Sequence, residues 1–324
     1  MKHRGRSLPT FFAAAVAFLF VCSSDGNPRV AATGFPNNIR FAKGSSALAI
    51  PFELSEKGHM FLRVRVNNSE PLLFGLDSGF EQTAIATKQA KALGLKLYGD
   101  AKATGVGERE DDITFARNAR FDLPGASFQL KEIGVMTLDF PSPFAGESIG
   151  GILGFDFISL FVVRIDYANK VVDLYSPRSF RYRGHGDTLP IKMIDNYPSI
   201  PATISLPGLA PVTDLFVIDT GAESGIFFNS RFVKSRKLLD SRQETTEAGM
   251  LGIGGPSKIR IGHATNIRLG RTLIANPVVH FSLATRGESA ESRSAGQISN
   301  GIFRQFKNII FDQTRRRLIL EPAK

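Results

Sequence analysis

Two short segments of this 324-residue chain join an acid to a hydroxyl and a glycine. Asp77-Ser78-Gly79 ends the apolar run Leu72-Leu73-Phe74-Gly75-Leu76, and Asp219-Thr220-Gly221 ends Leu215-Phe216-Val217-Ile218. One such triplet alone is ordinary turn chemistry. Repetition behind a buried-strand pattern changes the reading. Two acids, one from each half of a duplicated chain, imply a paired-carboxylate site in which one group takes a proton while the other gives one. Gly79 and Gly221 would let backbone amides approach the carboxylates closely.

Positioning such a pair needs two equivalent halves, and the spacing supplies them. Asp77 and Asp219 lie 142 residues apart. Gly150, Ile152, Phe157 and Asp166 stand 146 residues before Gly296, Ile298, Phe303 and Asp312. Feature order is kept while the spacing drifts by four. Between these points the chain reads as short strands separated by turns, as in the alternating Phe61-Leu62-Arg63-Val64-Arg65-Val66. Helix signals are few: Thr87 capping Lys88 to Leu93, and Ser230 ahead of Phe232 to Leu239. Each half carries a glycine-rich loop, with Gly105, Val106 and Gly107 in one and Gly252, Ile253 and Gly254 in the other. The expected fold is all-β with little helix, two-lobed and internally duplicated. Its parts are a signal peptide (1–23), a linker or arm (24–47), an N-terminal lobe (48–178), a connector (179–187) and a C-terminal lobe (188–324).

The leader reading rests on Lys2, Arg4 and Arg6 followed by the apolar run from Phe11 to Cys22, too short to span a bilayer comfortably. It places the mature protein in the periplasm or outside the cell, or on a membrane if the leader is retained. No membrane insertion is expected after cleavage. Cys22 is the only cysteine, so cleavage leaves no thiol for a disulfide, metal or nucleophile. Net charge is +10, and loss of the leader lowers it by three. The cations are scattered, and the one triplet, Arg315-Arg316-Arg317, reads as the exposed bend of a terminal hairpin rather than a nucleic-acid patch. The five histidines lack metal-ligand spacing, so neither metal nor cofactor is expected.

The arrangement resembles the pepsin and retropepsin superfamily of aspartic proteases, in a single-chain form with retroviral-protease-like lobes. The resemblance rests on Asp77-Ser78-Gly79, Asp219-Thr220-Gly221, and Gly151-Ile152-Leu153-Gly154-Phe155-Asp156-Phe157 with its Ile165-Asp166-Tyr167 tail. Gly252-Ile253-Gly254-Gly255 is similar to a retroviral flap tip. The sequence departs from the pattern at Phe80 and Glu81, where small and hydroxyl residues are usual, and at Ile298-Ser299-Asn300, where the family has Ile-Leu-Gly. No tyrosine lies between Ala103 and Glu110 to serve as a pepsin-type flap tyrosine.

The resemblance implies peptide-bond hydrolysis by a dyad of Asp77 and Asp219, supported by Ser78, Gly79, Thr220 and Gly221, under flaps carrying Gly105, Val106, Gly107, Gly252, Ile253 and Gly254. Carboxylates about 3 Å apart cannot both ionise, as aspartic proteases exemplify, so one proton is shared and the pair titrates as a unit. Ser78 and Thr220 would hydrogen-bond across the lobe interface. Asp156, Asp166 and Asp312 read instead as turn and surface acids. The expected enzyme is an exported, monomeric aspartic endopeptidase acting on peptides or proteins. The alternative is a catalytically silent member of the fold that binds peptides between the lobes.

Overall fold

A computed structural model describes residues 39–141, 143–144, 146–240 and 244–323, and two short strands at Phe12–Ala14 and Phe20–Ser23. The rest of the expected leader and the arm up to residue 38 lie outside the described residues. The described chain is mostly β, 52% strand against 11% helix, arranged in two sheets.

Six strands build the base. Their order is Asp187–Pro190, Arg317–Pro322, Phe306–Asp312, Val162–Asp166, Val171–Tyr175 and Ser46–Leu54, all antiparallel. Each half contributes three, and the register carries the duplication. Arg164 pairs with Ile310, Val162 with Asp312 and Asp166 with Asn308. Arg164 and Ile310 are themselves equivalents under the 146-residue offset, so an approximate twofold axis passes between them.

Above the base, each half repeats one strand order. In the first lobe, Leu72–Leu76 runs parallel to Gly151–Leu153, which pairs antiparallel with Ala84–Ala86, which in turn runs parallel to Ala126–Met136. In the second, Val212–Asp219, Gly296–Ser299, Ile226–Phe228 and Val278–Ser282 repeat those relations. The acid-bearing strands are flanked on both edges and end in buried residues, which is why they read as unbroken apolar runs rather than alternating ones. Phenylalanine supplies the ring mass, there being no tryptophan. Phe121 stacks on Phe128 at 5.1 Å between centroids, and Phe228 on Phe281 at 5.7 Å. Each such buried side chain contributes roughly 1.5–3 kcal/mol.

Helices are short. The first spans Thr87–Ala92, but Ala86 occupies the cap position and no side-chain cap bond forms. The second-lobe equivalent, Ser230–Ser235, begins at Ser230 instead of following it, and the Ser230 hydroxyl donates to the Ser289 carbonyl at 3.2 Å. Two further helices, Phe155–Leu160 and Asn300–Phe303, follow the equivalent strands Gly151–Leu153 and Gly296–Ser299.

Candidate active site

Both acid loops emerge at the lobe interface and lock together there. The Ser78 N–H donates to Thr220 Oγ1 at 3.0 Å, and the Thr220 N–H donates to Ser78 Oγ at 3.1 Å. Each hydroxyl then donates onward, Ser78 to the Ile218 carbonyl at 2.6 Å and Thr220 to the Leu76 carbonyl at 3.0 Å. Four buried bonds therefore cross between lobes at the foot of the acids. Both hydroxyls donate and accept, which only Ser and Thr can do in so small a space.

The two carboxyl groups meet above this lock, within hydrogen-bonding reach of one another and fully buried. Gly79 N–H donates to Asp77 Oδ1 at 2.8 Å, while Gly221 and Ala222 N–H donate to Asp219 Oδ1 at 2.9 and 3.0 Å. The outer oxygens, Oδ2 of each acid, have no protein partner. Removal from water raises both acids above the usual carboxylate range, and the charge of Asp77 raises Asp219 further. A pair so placed holds one proton between its members near neutrality. The glycines are required sterically: a Cβ on Gly221 would sit 2.0 Å from Asp77 Oδ2, and one on Gly79 3.0 Å from Asp219 Cγ.

The two glycine-rich loops cap hairpins that meet tip to tip. Leu97–Thr104 and Asp111–Leu123 carry one loop, Thr246–Gly252 and Gly255–His263 the other. Gly107 N–H donates to the Ile253 carbonyl and Arg109 N–H to the Gly254 carbonyl, both at 2.9 Å. The Gly254 N–H donates to Asp111 Oδ2 at 2.9 Å. A Cβ on Gly107 would lie 2.1 Å from the Gly254 carbonyl carbon, so the approach demands glycine there. Gly252 pairs with Gly255 to close the second hairpin, and Gly105 accepts from the Glu288 N–H at 3.2 Å. The aliphatic tips cross over. Val106 is buried among second-lobe residues including Tyr197, Val217 and Phe227. Ile253 is buried among first-lobe residues including Phe61, Phe80 and Ile152.

Beside Asp77 lies a cavity of about 160 Å³ lined by Met60, Phe61, Leu76, Phe140, Ile149 and Ile152, with Lys57 and His59 also on its wall. Sequence reasoning gives none of these a lining role: Phe61, Leu76 and Ile152 read only as strand or motif residues, and Met60, Phe140 and Ile149 carry no motif. Glu81 and Glu223 are equivalents four residues past each acid, and their surroundings differ. Glu223 faces Lys57 and Arg304. Glu81 instead accepts from Asn196 at 3.2 Å and faces Asp156 and Glu288. Burial raises Glu81 and Glu288 to about 7 and Asp156 to about 6.

Of the three acids read as turn and surface groups, Asp166 and Asp312 are buried and Asp156 is half-buried. Asp156 Oδ1 accepts from the Thr83 N–H and hydroxyl at 2.8 and 2.6 Å, Asp166 from the Asn169 N–H at 2.9 Å, and Asp312 from Arg315 and Arg317. They do serve turns. Asp166 and Asp312 are not on the surface, because donors from those turns replace water. Arg316, at φ +48°, turns the bend between Arg315 and Arg317, its N–H donating to the Gln313 carbonyl at 3.0 Å.

Residues 62–157 match the family model described as aspartyl protease. No curated protein matches the chain. The matched segment holds Asp77, the first flap loop and the Gly151–Phe157 element, and the second sheet repeats its strand order around Asp219. Residues 62–157, in the first lobe, are thus similar to an aspartyl protease domain.

Proposed function

We propose that this protein is an exported aspartic endopeptidase using Asp77 and Asp219 as one catalytic unit. The observation that carries this reading is the meeting of two buried carboxyl groups whose outer oxygens lack protein partners. The ionised member would take a proton from water as its oxygen attacks the peptide carbonyl. The protonated member would give its proton to the carbonyl oxygen, forming a neutral tetrahedral diol. Collapse would pass one diol proton to the ionised member while the protonated member gives its proton to the departing nitrogen, restoring the single shared proton. The interlobe lock fixes the acids in place, so little reorganisation accompanies the reaction.

The cavity beside Asp77 favours a bulky apolar side chain next to the scissile bond. The flaps would part to admit substrate and close over it, and their buried tips support a water-excluding closed state. Export rests on the basic-then-apolar leader, and a single-chain site complete in two lobes fits a monomer. No cofactor enters the mechanism.

Hydrolysis of denatured casein between pH 3 and 7, with and without a statine-type inhibitor, tests the reading. Inhibitable cleavage supports it. Inhibitor binding without cleavage would replace it by a peptide-binding role in the same cleft.

A further inference from the structure

We propose that Asn300 is a positioning residue for the dyad: its buried amide carries a hydrogen-bond relay from Tyr167 to the peptide group that binds Asp219. The proposal rests on the aspartic reading above and deepens it by naming what makes the two acids unequal. By the 146-residue offset Asn300 stands where the first lobe has Gly154, the point at which the chain leaves the Ile-Leu-Gly pattern.

The amide is fully buried and nearly saturated. The Tyr167 hydroxyl donates to Asn300 Oδ1 at 2.8 Å. Asn300 Nδ2 donates to the Thr220 carbonyl at 2.6 Å and, more weakly, to the Gly58 carbonyl at 3.3 Å. The Thr220 carbonyl belongs to the peptide group whose N–H, on Gly221, donates to Asp219 Oδ1 at 2.9 Å. Drawing electron density onto that carbonyl makes its N–H a better donor, because bonds in series polarise one another where the dielectric is low. The anionic form of Asp219 gains from this. Burial keeps the Tyr167 phenol protonated, so the head of the relay is a fixed donor.

The first lobe has no counterpart. Gly154 bears no side chain, and a Cβ there would meet the Phe80 carbonyl oxygen at 2.7 Å and the Thr83 nitrogen at 2.9 Å. An amide could not be fitted at that site without moving the Asp77 loop. The duplication is therefore broken on the Asp219 side, where Ser299 and Asn300 replace the Leu153-Gly154 pair of the first lobe. Gly58 links the relay to the first lobe, since the flanking Lys57 and His59 border the cavity beside Asp77.

Wild type, Asn300→Gly and Tyr167→Phe are compared in two readouts on the full chain. One is the pH dependence of kcat/KM on a peptide substrate. The other is titration of the aspartate carboxyls by NMR after carbon-13 labelling, with Asp77→Asn and Asp219→Asn spectra for assignment. In Asn300→Gly the acid limb and the lower apparent pKa of the dyad are expected to rise by a few tenths of a pH unit. That is the scale set by a 10–30% loss in one carboxylate bond. Tyr167→Phe should move both in the same direction by less. Glu81, Asp156, Glu288, Glu223, Lys57, Arg304 and the Tyr197 phenol also face this region, and none of them is substituted in either variant.

A purely structural role would lower Tm and activity at every pH and leave both limbs in place, which would overturn the proposal. Should Asn300→Gly not fold, Tyr167→Phe decides alone: a shifted limb supports the relay, an unmoved one refutes it. Should the wild type show no turnover, the enzymatic reading fails, while the carboxyl titration still decides the relay.

Discussion

Replacing Gly221 by alanine probes the dyad at its tightest point. A Cβ there would lie 2.0 Å from Asp77 Oδ2 and 2.1 Å from its Cγ, where ordinary contact begins near 3.4 Å. The acid or the loop must therefore give by about 1.4 Å. Asp77 is not free to slide, because its Oδ1 is held by the Gly79 N–H at 2.8 Å. The equivalent change at Gly79 meets Asp219 Cγ at 3.0 Å, so about 0.4 Å of relief suffices. Neither glycine has positive φ, so alanine adds no backbone strain and the difference reports on the carboxyls alone. A misplacement of 1 Å costs about 100-fold in rate. Gly221→Ala should thus lose kcat/KM by about 100-fold or more, and Gly79→Ala by about tenfold or less. Steady-state cleavage of a fluorogenic peptide, with Tm recorded for each variant, makes the comparison. Equal losses at the two glycines, or a folded Gly221→Ala with near wild-type activity, would refute the geometry.

Further expectations follow from burial and from the flaps. Asp77, Glu81, Asp156 and Glu288 have folded pKa values raised by burial to about 6 or 7, so their stabilising contribution is complete below about pH 4 and is lost as pH rises through 6 to 7, and burial shifts Asp219 in the same direction. His280, lowered to about 4, acts oppositely below its ordinary value. Tm should accordingly fall from pH 5 to pH 8, and Glu288→Gln should remove about 3 kcal/mol of that loss, read from melts at the two pH values. Val106→Ala and Ile253→Ala take apolar atoms out of the opposite lobe. Each should raise KM and speed trypsin cleavage at the exposed Arg109, and unchanged cleavage would count against interlocked tips. Phe61→Ala enlarges the cavity beside Asp77 and should shift preference toward larger apolar side chains, as measured with a peptide library.

Much of the frame was legible because duplication writes itself twice. The acid strands, the glycine loops and the Gly150–Phe157 element each recur in order, and the pairing of Arg164 with Ile310 closes the two offsets around one axis. The helices at Phe155–Leu160 and Asn300–Phe303 were not legible. Six and four residues are too few to display a helical period, and the apolar run Phe155-Asp156-Phe157-Ile158 resembles a buried strand. The burial of Asp312 and the half-burial of Asp156 were not legible, because their partners, Arg315 and Arg317 in one case and Thr83 in the other, are set by packing. Asn300 was visible only as a broken pattern. What it touches, Tyr167 and the Gly58 turn, lies 133 and 242 residues away.

The central claim, that Asp77 and Asp219 act as one unit, is tested most directly by turnover in Asp77→Asn, Asp219→Asn and the double variant. Each single change should abolish cleavage to a similar degree, and the double change should cost little more, since residues serving one step are not additive. Tm should hold or rise as repulsion between the close carboxyls is removed. Cleavage that survives either single change in a folded protein, and remains sensitive to the statine-type inhibitor, would contradict the dyad.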